Sequence, residues 1–283
     1  MKISQLYKQN RTVISFEVFP PKKDDDIRTL YDALSGLSVF EPDFISVTFG
    51  AGGGRKGTSA TAEIVRHIKD KHGIEALAHI TCSGMKHSDV APIVKDFRQK
   101  GISNLLALRG DEIADGGFVY AKDFIAELKN HDFCIGAAAY PEGHITCSDL
   151  NKDISHLKQK QDAGADFFIT QLFFDNDCFY RFLDKARAVG VSKPISAGIM
   201  PMLSKAQIQR MIFMCGASLP APIIKIIGKY GDEGESLVKA GMEYAYNQMQ
   251  DLCDNGVDGI HMYIMNKPSI AEYCLSRLKV KRV

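Results

Sequence analysis

Several things are scarce in this sequence, and each scarcity removes a class of function. No stretch of its 283 residues approaches the roughly 18 consecutive apolar residues of a membrane span. The opening MKISQLYKQNRTV also lacks the continuous apolar segment of a secretory leader, so a cytoplasmic protein with no membrane partner is expected. Net charge is nearly absent: 35 Lys and Arg stand against 34 Asp and Glu, with no long block of either sign. Nucleic acid is therefore not expected as a partner, and a small molecule is. The seven cysteines are odd in number and scattered without any C-x-x-C, which points away from a disulfide framework or zinc ribbon and toward a reducing compartment. Neither H-E-x-x-H nor G-x-S-x-G occurs, and the H-x-x-C spacing of His144 and Cys147 has no second pair, so no bound metal is expected.

What is present is an alternation. With 45% hydrophobic residues the chain can bury a sizeable core. Short β-rich runs at 13–19, 44–49, 76–81, 104–109, 134–139, 167–173, 194–199 and 259–264 are separated by segments with helical apolar spacing, most of them ending at a glycine. Eight such units in this length predict a (β/α)8 TIM barrel, one α/β domain over 1–283, with extra helix in 217–255 before the last strand. A doubly wound sheet carries its nucleotide fingerprint in the first turn, and no G-x-G-x-x-G follows the first run here. The glycine-rich FGAGGGRKGTSA reads K-G-T where a phosphate loop needs G-K-[ST], so a βα loop near a ligand is its expected role.

Strand side chains alternate between faces, and in a barrel one face points inward. Val13, Ser15, Glu17 and Phe19 share one face of the first run, and Ile14, Phe16 and Val18 the other. Ser46 and Thr48 separate likewise from Ile45, Val47 and Phe49; His79 goes with Leu77 and Thr81; Arg109 with Ala107 and Asp111; Gln171 with Ile169 and Phe173. The inward polar residues gather toward the C-terminal ends of their strands, where barrel enzymes place their sites. Two readings stay open at two places. Arg109 and Asp111 either pair with each other or face a ligand, and Gln207 either completes a capping box with Ser204 or contacts a ligand.

The stretches SFEVFPPK, FISVTFGAGG, AHITC, LALRGD, AAYPEGH, KQDAGADFFITQLFFD, GIMP and HMYIMN, in this order, resemble the methylenetetrahydrofolate reductase family. The resemblance implies a barrel that holds FAD at its C-terminal face, and a hydride relay in which NADH or NADPH reduces the flavin before the flavin reduces 5,10-methylenetetrahydrofolate. It implies that Glu17 is the proton donor that opens the folate ring, and that Asp111 lies beside the flavin as a second catalytic group. The FAD positions carried over are Thr48, His79, Arg109, Gly110, Asp111, Tyr140, His144, Asp153 and Lys160. Glu17, Gln171, Gln207, Met211 and Lys267 match substrate contacts. Phe16, Phe19, Pro20 and Pro21 are expected to desolvate Glu17 and raise its pKa.

Three positions depart from the better-known bacterial pattern: Gln159 and Lys267 replace arginines, and Met211 replaces a phenylalanine. A homo-oligomer is the expected assembly. The regulatory domain through which eukaryotic relatives sense S-adenosylmethionine is expected to be absent. Other barrel chemistry, or ligand binding without turnover, would use the same rim.

Overall fold

The computed structural model describes residues 1–21, 27–49, 54–110, 117–231 and 234–280, and for residues 54–59 the backbone alone. Its strands are β1 (Val13–Val18), β2 (Phe44–Val47), β3 (Glu75–Thr81), β4 (Asn104–Leu108), β5 (Cys134–Ala139), β6 (Phe167–Thr170), β7 (Ile195–Ile199) and β8 (Gly259–Tyr263). Each is parallel to its neighbours, and β1 pairs with both β2 and β8, closing an eight-stranded barrel. The helices alternate with the strands: α1 (Ile27–Ser38), α2 (Gly54–His72), α3 (His87–Gln99), α4 (Ala121–Lys129), α5 (Leu150–Ala163), α6 (Asn176–Ala188), then α7 (Lys205–Cys215), α8 (Ala221–Tyr230) and α9 (Gly234–Asp254) before β8, and α10 (Pro268–Leu275) after it. The extra helix expected before the last strand is there. Among the described residues no helix is long and apolar enough to cross a membrane.

The outward strand face and the helix stripes form one continuous core. Ile14, Phe16 and Val18 meet Leu30, Leu34 and Leu37 of α1 in it, and Phe16 is fully buried. Trimming one such phenylalanine to alanine costs about 3–5 kcal/mol. Local signals set the helix ends. Asp149 and Asp175 cap α5 and α6 by accepting backbone N–H bonds, and α5 stops where Gly164 takes a φ of 120°.

Inside the barrel the two ends differ. Val13, Phe44, Cys134 and Phe167, the first residues of their strands, form an apolar floor with Leu77, Leu106 and Ile169. A 3-10 helix, Ile3–Lys8, closes that floor from below: Ile3 and Leu6 join the cluster, the Ile3 amide donates to Asn104 Oδ1 at 2.8 Å, and the Tyr7 hydroxyl lies 2.8 Å from Ser196 Oγ. Above it the inward residues turn polar. Among the described residues the floor is closed at the N-terminal ends of the strands, and the polar interior lies toward their C-terminal ends.

Several strands end sooner than expected. β6 stops at Thr170, so alternation does not carry to Phe173; instead of sharing Gln171's inward face, Phe173 sits in the outer core, stacked on Phe179 at 5.2 Å. β2 and β4 stop before Thr48 and Arg109, which therefore stand on the rim.

Candidate active site

Strand β1 delivers Glu17 to the upper interior, and its register places Glu17 opposite Ser46 of β2 and Tyr263 of β8. Two histidines face its carboxylate: His79 Nε2 from β3 and His261 Nε2 from β8 each lie 3.6 Å from Glu17 Oε2. His261 has no solvent exposure, with Ser15 Oγ 2.8 Å from its Nδ1 and Ser46 Oγ 3.3 Å from its Nε2. Its ring is held by side chains of β1 and β2. The Tyr263 hydroxyl donates to the Thr170 carbonyl at 2.7 Å, and Thr170 Oγ1 accepts the Gly198 amide at 2.8 Å. Gly198 is required at that point, because a Cβ there would lie 2.3 Å from the Thr170 oxygen and 2.8 Å from the Tyr263 ring.

The electrostatics correct one expectation. Burial does push the Glu17 carboxyl upward, but the facing imidazoles, His261 first and then His79, outweigh it and hold the pKa below the usual carboxylate range. The expected apolar wrapping is also not what the chain builds: Phe16 faces the outer core and Phe19 is 39% exposed. Counting neighbours along β1 misses the imidazoles that β3 and β8 bring across the barrel. His79 responds in the opposite way. Burial drives its pKa down to about 4 against the pull of Glu17, and its Nε2 has no hydrogen-bond partner among the described residues.

A second group gathers above β5 and α5. Lys160 Nζ donates to the Ala138 carbonyl at 2.8 Å and lies 5.2 Å from the centre of the Tyr140 ring, which meets His144 edge-on at 4.8 Å. Burial lowers the Lys160 pKa to about 8, with Asp153 opposing and Arg109 reinforcing the shift. Asp153, only 8% exposed, is shifted upward by burial, which outweighs the pull of Lys160, His144 and His156. Gln159 turns away from this group to accept a bond from Lys122 at 2.9 Å, which leaves Lys160 as the cation facing the site. Gly110 takes a φ of 97°, open to glycine and strained for other residues, where the chain leaves β4.

The remaining expected positions divide. Thr48 and Gln171 are half-buried on the rim, and Gln171 Oε1 accepts the Leu172 amide at 2.9 Å. Met211 is half-buried against the apolar cluster of α7 and α8, and Lys267 is exposed at the start of α10. Gln207 makes the capping contacts: its amide donates to Ser204 Oγ at 3.1 Å and its Oε1 accepts the Leu203 amide at 2.7 Å. Asp111 and residues 50–53 of the glycine-rich stretch lie outside the described residues; from Gly54 on, the stretch expected as a loop is the first part of α2. Cys147, Asp153 and His156, a combination that the H-x-x-C spacing does not suggest, bring one ligand atom each within 4.8 Å of one another.

His261 and Tyr263 are the residues that sequence reasoning missed. The signal was available, since alternation along GIHMY puts both on the inward face with Gly259.

The methylenetetrahydrofolate reductase family model matches residues 2–279. The 5,10-methylenetetrahydrofolate reductase of Pectobacterium carotovorum is 35% identical over 93% of this chain and 89% of its own, and that of Escherichia coli K12 is 34% identical over the same shares. Methylenetetrahydrofolate reductase 1 of Schizosaccharomyces pombe is 33% identical over 95% of this chain, which spans 46% of that relative's length; for an Arabidopsis thaliana relative the share is 48%. A solved structure titled an uncharacterized protein from Clostridium thermocellum that binds two copies of 5-methyl-5,6,7,8-tetrahydrofolic acid aligns with a TM-score of 0.65 over 96% of this chain and 95% of that one. At 13% identity that likeness is one of fold.

Proposed function

Because the chain belongs to the methylenetetrahydrofolate reductase family, we propose that it reduces 5,10-methylenetetrahydrofolate to 5-methyltetrahydrofolate with electrons from NADH or NADPH, in a ping-pong cycle run by this one barrel with FAD bound. The observation that carries the reading is the carboxylate of Glu17 held between two buried histidines toward the C-terminal end of a barrel of that family.

A flavin dinucleotide suits the residues present. Lys160 is a half-buried cation whose one hydrogen bond among the described residues is to a neutral carbonyl, so a diphosphate would give it a directly bonded anion. His79 offers an unpartnered buried nitrogen, and Gly110 a backbone that a flat ring can approach. In this reading Arg109, Tyr140, His144, Asp153 and Lys160 hold the dinucleotide, with Thr48 and His79 toward its ring. When bound, the flavin supplies two-electron transfer between nicotinamide and folate.

The protein's own part is to place rings and move one proton. Gln171 offers an amide to a pterin or nicotinamide edge, and Met211 and Lys267 line the outer part of the folate site. Glu17 donates the proton that breaks a C–N bond of the folate's five-membered ring, leaving the methylene carbon electrophilic. Its side chain is 20% exposed without ligand. A ring laid over it removes that water and strengthens the burial that already favours its neutral form, so the carboxyl gains its proton as the folate binds. Asp111 would then stabilise the cation so formed.

The test is spectroscopic. The purified protein, reconstituted with FAD if needed, should be yellow, bleach with NADH or NADPH without oxygen, and recover its colour when 5,10-methylenetetrahydrofolate is added. A protein that takes up no flavin, or a reduced flavin that the folate does not reoxidise, would refute the proposal.

A further inference from the structure

Three metal-ligating side chains converge at the start of α5, and the reading above uses only one of them, Asp153. Asp149 caps that helix and fixes its first turn, so Asp153 and His156, three residues apart, stand side by side on one face. The preceding turn brings Cys147 to them. Its amide donates to the His144 carbonyl at 2.7 Å, and its thiol donates to the Asp149 carbonyl at 3.3 Å. One ligand atom each from Cys147, Asp153 and His156 then lies within 4.8 Å of the other two. Three points no farther apart than that share a centre at most about 2.8 Å from each. Metal–sulfur bonds of about 2.3 Å and metal–nitrogen bonds of about 2.0–2.1 Å are reached from there by side-chain shifts of less than about 1 Å.

The donor set says which cation it suits. Thiolate, imidazole and carboxylate together are ligands of Zn2+, whereas Mg2+ and Ca2+ take oxygen. Thiolate and carboxylate carry two negative charges, which a divalent ion cancels. Asp153 has capacity for it: the residue is 8% exposed, its carboxylate accepts the His144 backbone N–H, and Lys160, whose charge pulls on it, gives its own hydrogen bond to the Ala138 carbonyl. The histidine of this cluster is not the one in the H-x-x-C spacing. His144 Nδ1 already accepts the Thr146 amide at 3.1 Å, and the ligand comes instead from the helix.

We propose that Cys147, Asp153 and His156 bind one Zn2+ ion in the flavin-free protein, and that zinc and the flavin dinucleotide exclude each other because both require Asp153. The exclusion rests on the flavin reading above; the metal site does not. Three protein ligands leave the fourth position of a tetrahedral ion to water. Zinc bound here keeps the chain free of flavin until it is withdrawn.

Co2+ reports such a site by colour, because a thiolate ligand adds a near-ultraviolet charge-transfer band and tetrahedral coordination strengthens the visible bands. Titrated without oxygen into the flavin-free full chain, Co2+ should bind at one equivalent, show both features and be displaced one for one by Zn2+. Cys147→Ser should abolish the charge-transfer band and weaken binding by about 100-fold or more, since a hydroxyl does not replace a soft thiolate. His156→Gln should keep the band and weaken binding by about 10-fold or more. A wild type without the band, or a band that persists in Cys147→Ser, overturns the metal site. FAD added to the zinc-loaded chain should then release the ion to a chromophoric chelator, and excess Zn2+ should raise the apparent Kd for FAD in the wild type but not in Cys147→Ser. Zinc that stays bound beside FAD overturns the exclusion. A chain that takes up no FAD even after chelation strikes the flavin reading and the exclusion with it, and the Co2+ titration decides the metal site in either case.

Discussion

Replacing Lys160 with methionine removes a charge that the fold holds at a cost. An ordinary lysine titrates at 10.5 and this one at about 8, a depression of about 2.5 units, or about 3 kcal/mol at 1.36 kcal/mol per unit. The sign follows from proton counts. Between pH 10.5 and 8 the unfolded chain holds the proton and the folded chain does not, so wild-type stability falls as pH drops through that window and levels off below it. Lys160→Met lacks this slope. The substitution also leaves the Ala138 carbonyl without its donor, a loss of about 1–3 kcal/mol that does not change with pH. The variant should therefore be the less stable protein near pH 10.5 and gain on the wild type by about 3 kcal/mol on the way to pH 8. Urea melts of flavin-free protein at half-unit steps read the difference directly, and groups that titrate alike in both proteins cancel. A stability difference that stays flat across the window would refute the account of Lys160 as a desolvated cation awaiting an anion.

The other predictions concern the barrel interior. Glu17→Gln should leave flavin reduction by the nicotinamide cofactor intact and slow reoxidation by folate at least about 100-fold in stopped flow; normal folate turnover would remove Glu17 from the chemistry. His79, lowered from 6.5 to about 4, should cost the wild type about 3 kcal/mol as pH falls from 6.5 to 4, because only the unfolded chain takes up that proton. His79→Gln should be correspondingly less acid-sensitive in denaturant titrations, and an unchanged acid slope would count against a neutral buried His79. Gly198→Ala should destabilise by about 1–3 kcal/mol or more, since the added methyl meets the backbone oxygen of Thr170 rather than a yielding side chain. Unchanged thermal stability of this variant would mean that β6 and Tyr263 shift more easily than their hydrogen bonds suggest.

Wherever the chain repeats a local rule, the fold was legible. β5 was placed to the residue, and the polar inward face of β1 followed from alternation alone. Legibility failed where the answer lies across the barrel. Nothing in VISFEV says that imidazoles from two other strands will lie 3.6 Å from its acid, and so the direction of the Glu17 shift came out reversed. At Phe173 the rule was carried past the point where Thr170 ends the strand. His261 is a different kind of miss, because the same alternation applied to the eighth run would have found it.

The segment that closes the barrel floor also bears on how the chain reaches this state. Ile3 bonds to a residue 101 positions later, Tyr7 to one 189 positions later, and β1 pairs with a strand 246 residues downstream. The last two of these partners, Ser196 and β8, do not exist while the first half of the chain is being synthesised. Contacts between such distant positions pay their loop-closure entropy before they return any stability, and they slow folding accordingly. The earliest residues made are thus among the last to settle, and until they do the apolar floor of Val13, Phe44 and Phe167 stands open to water and to other unfinished chains.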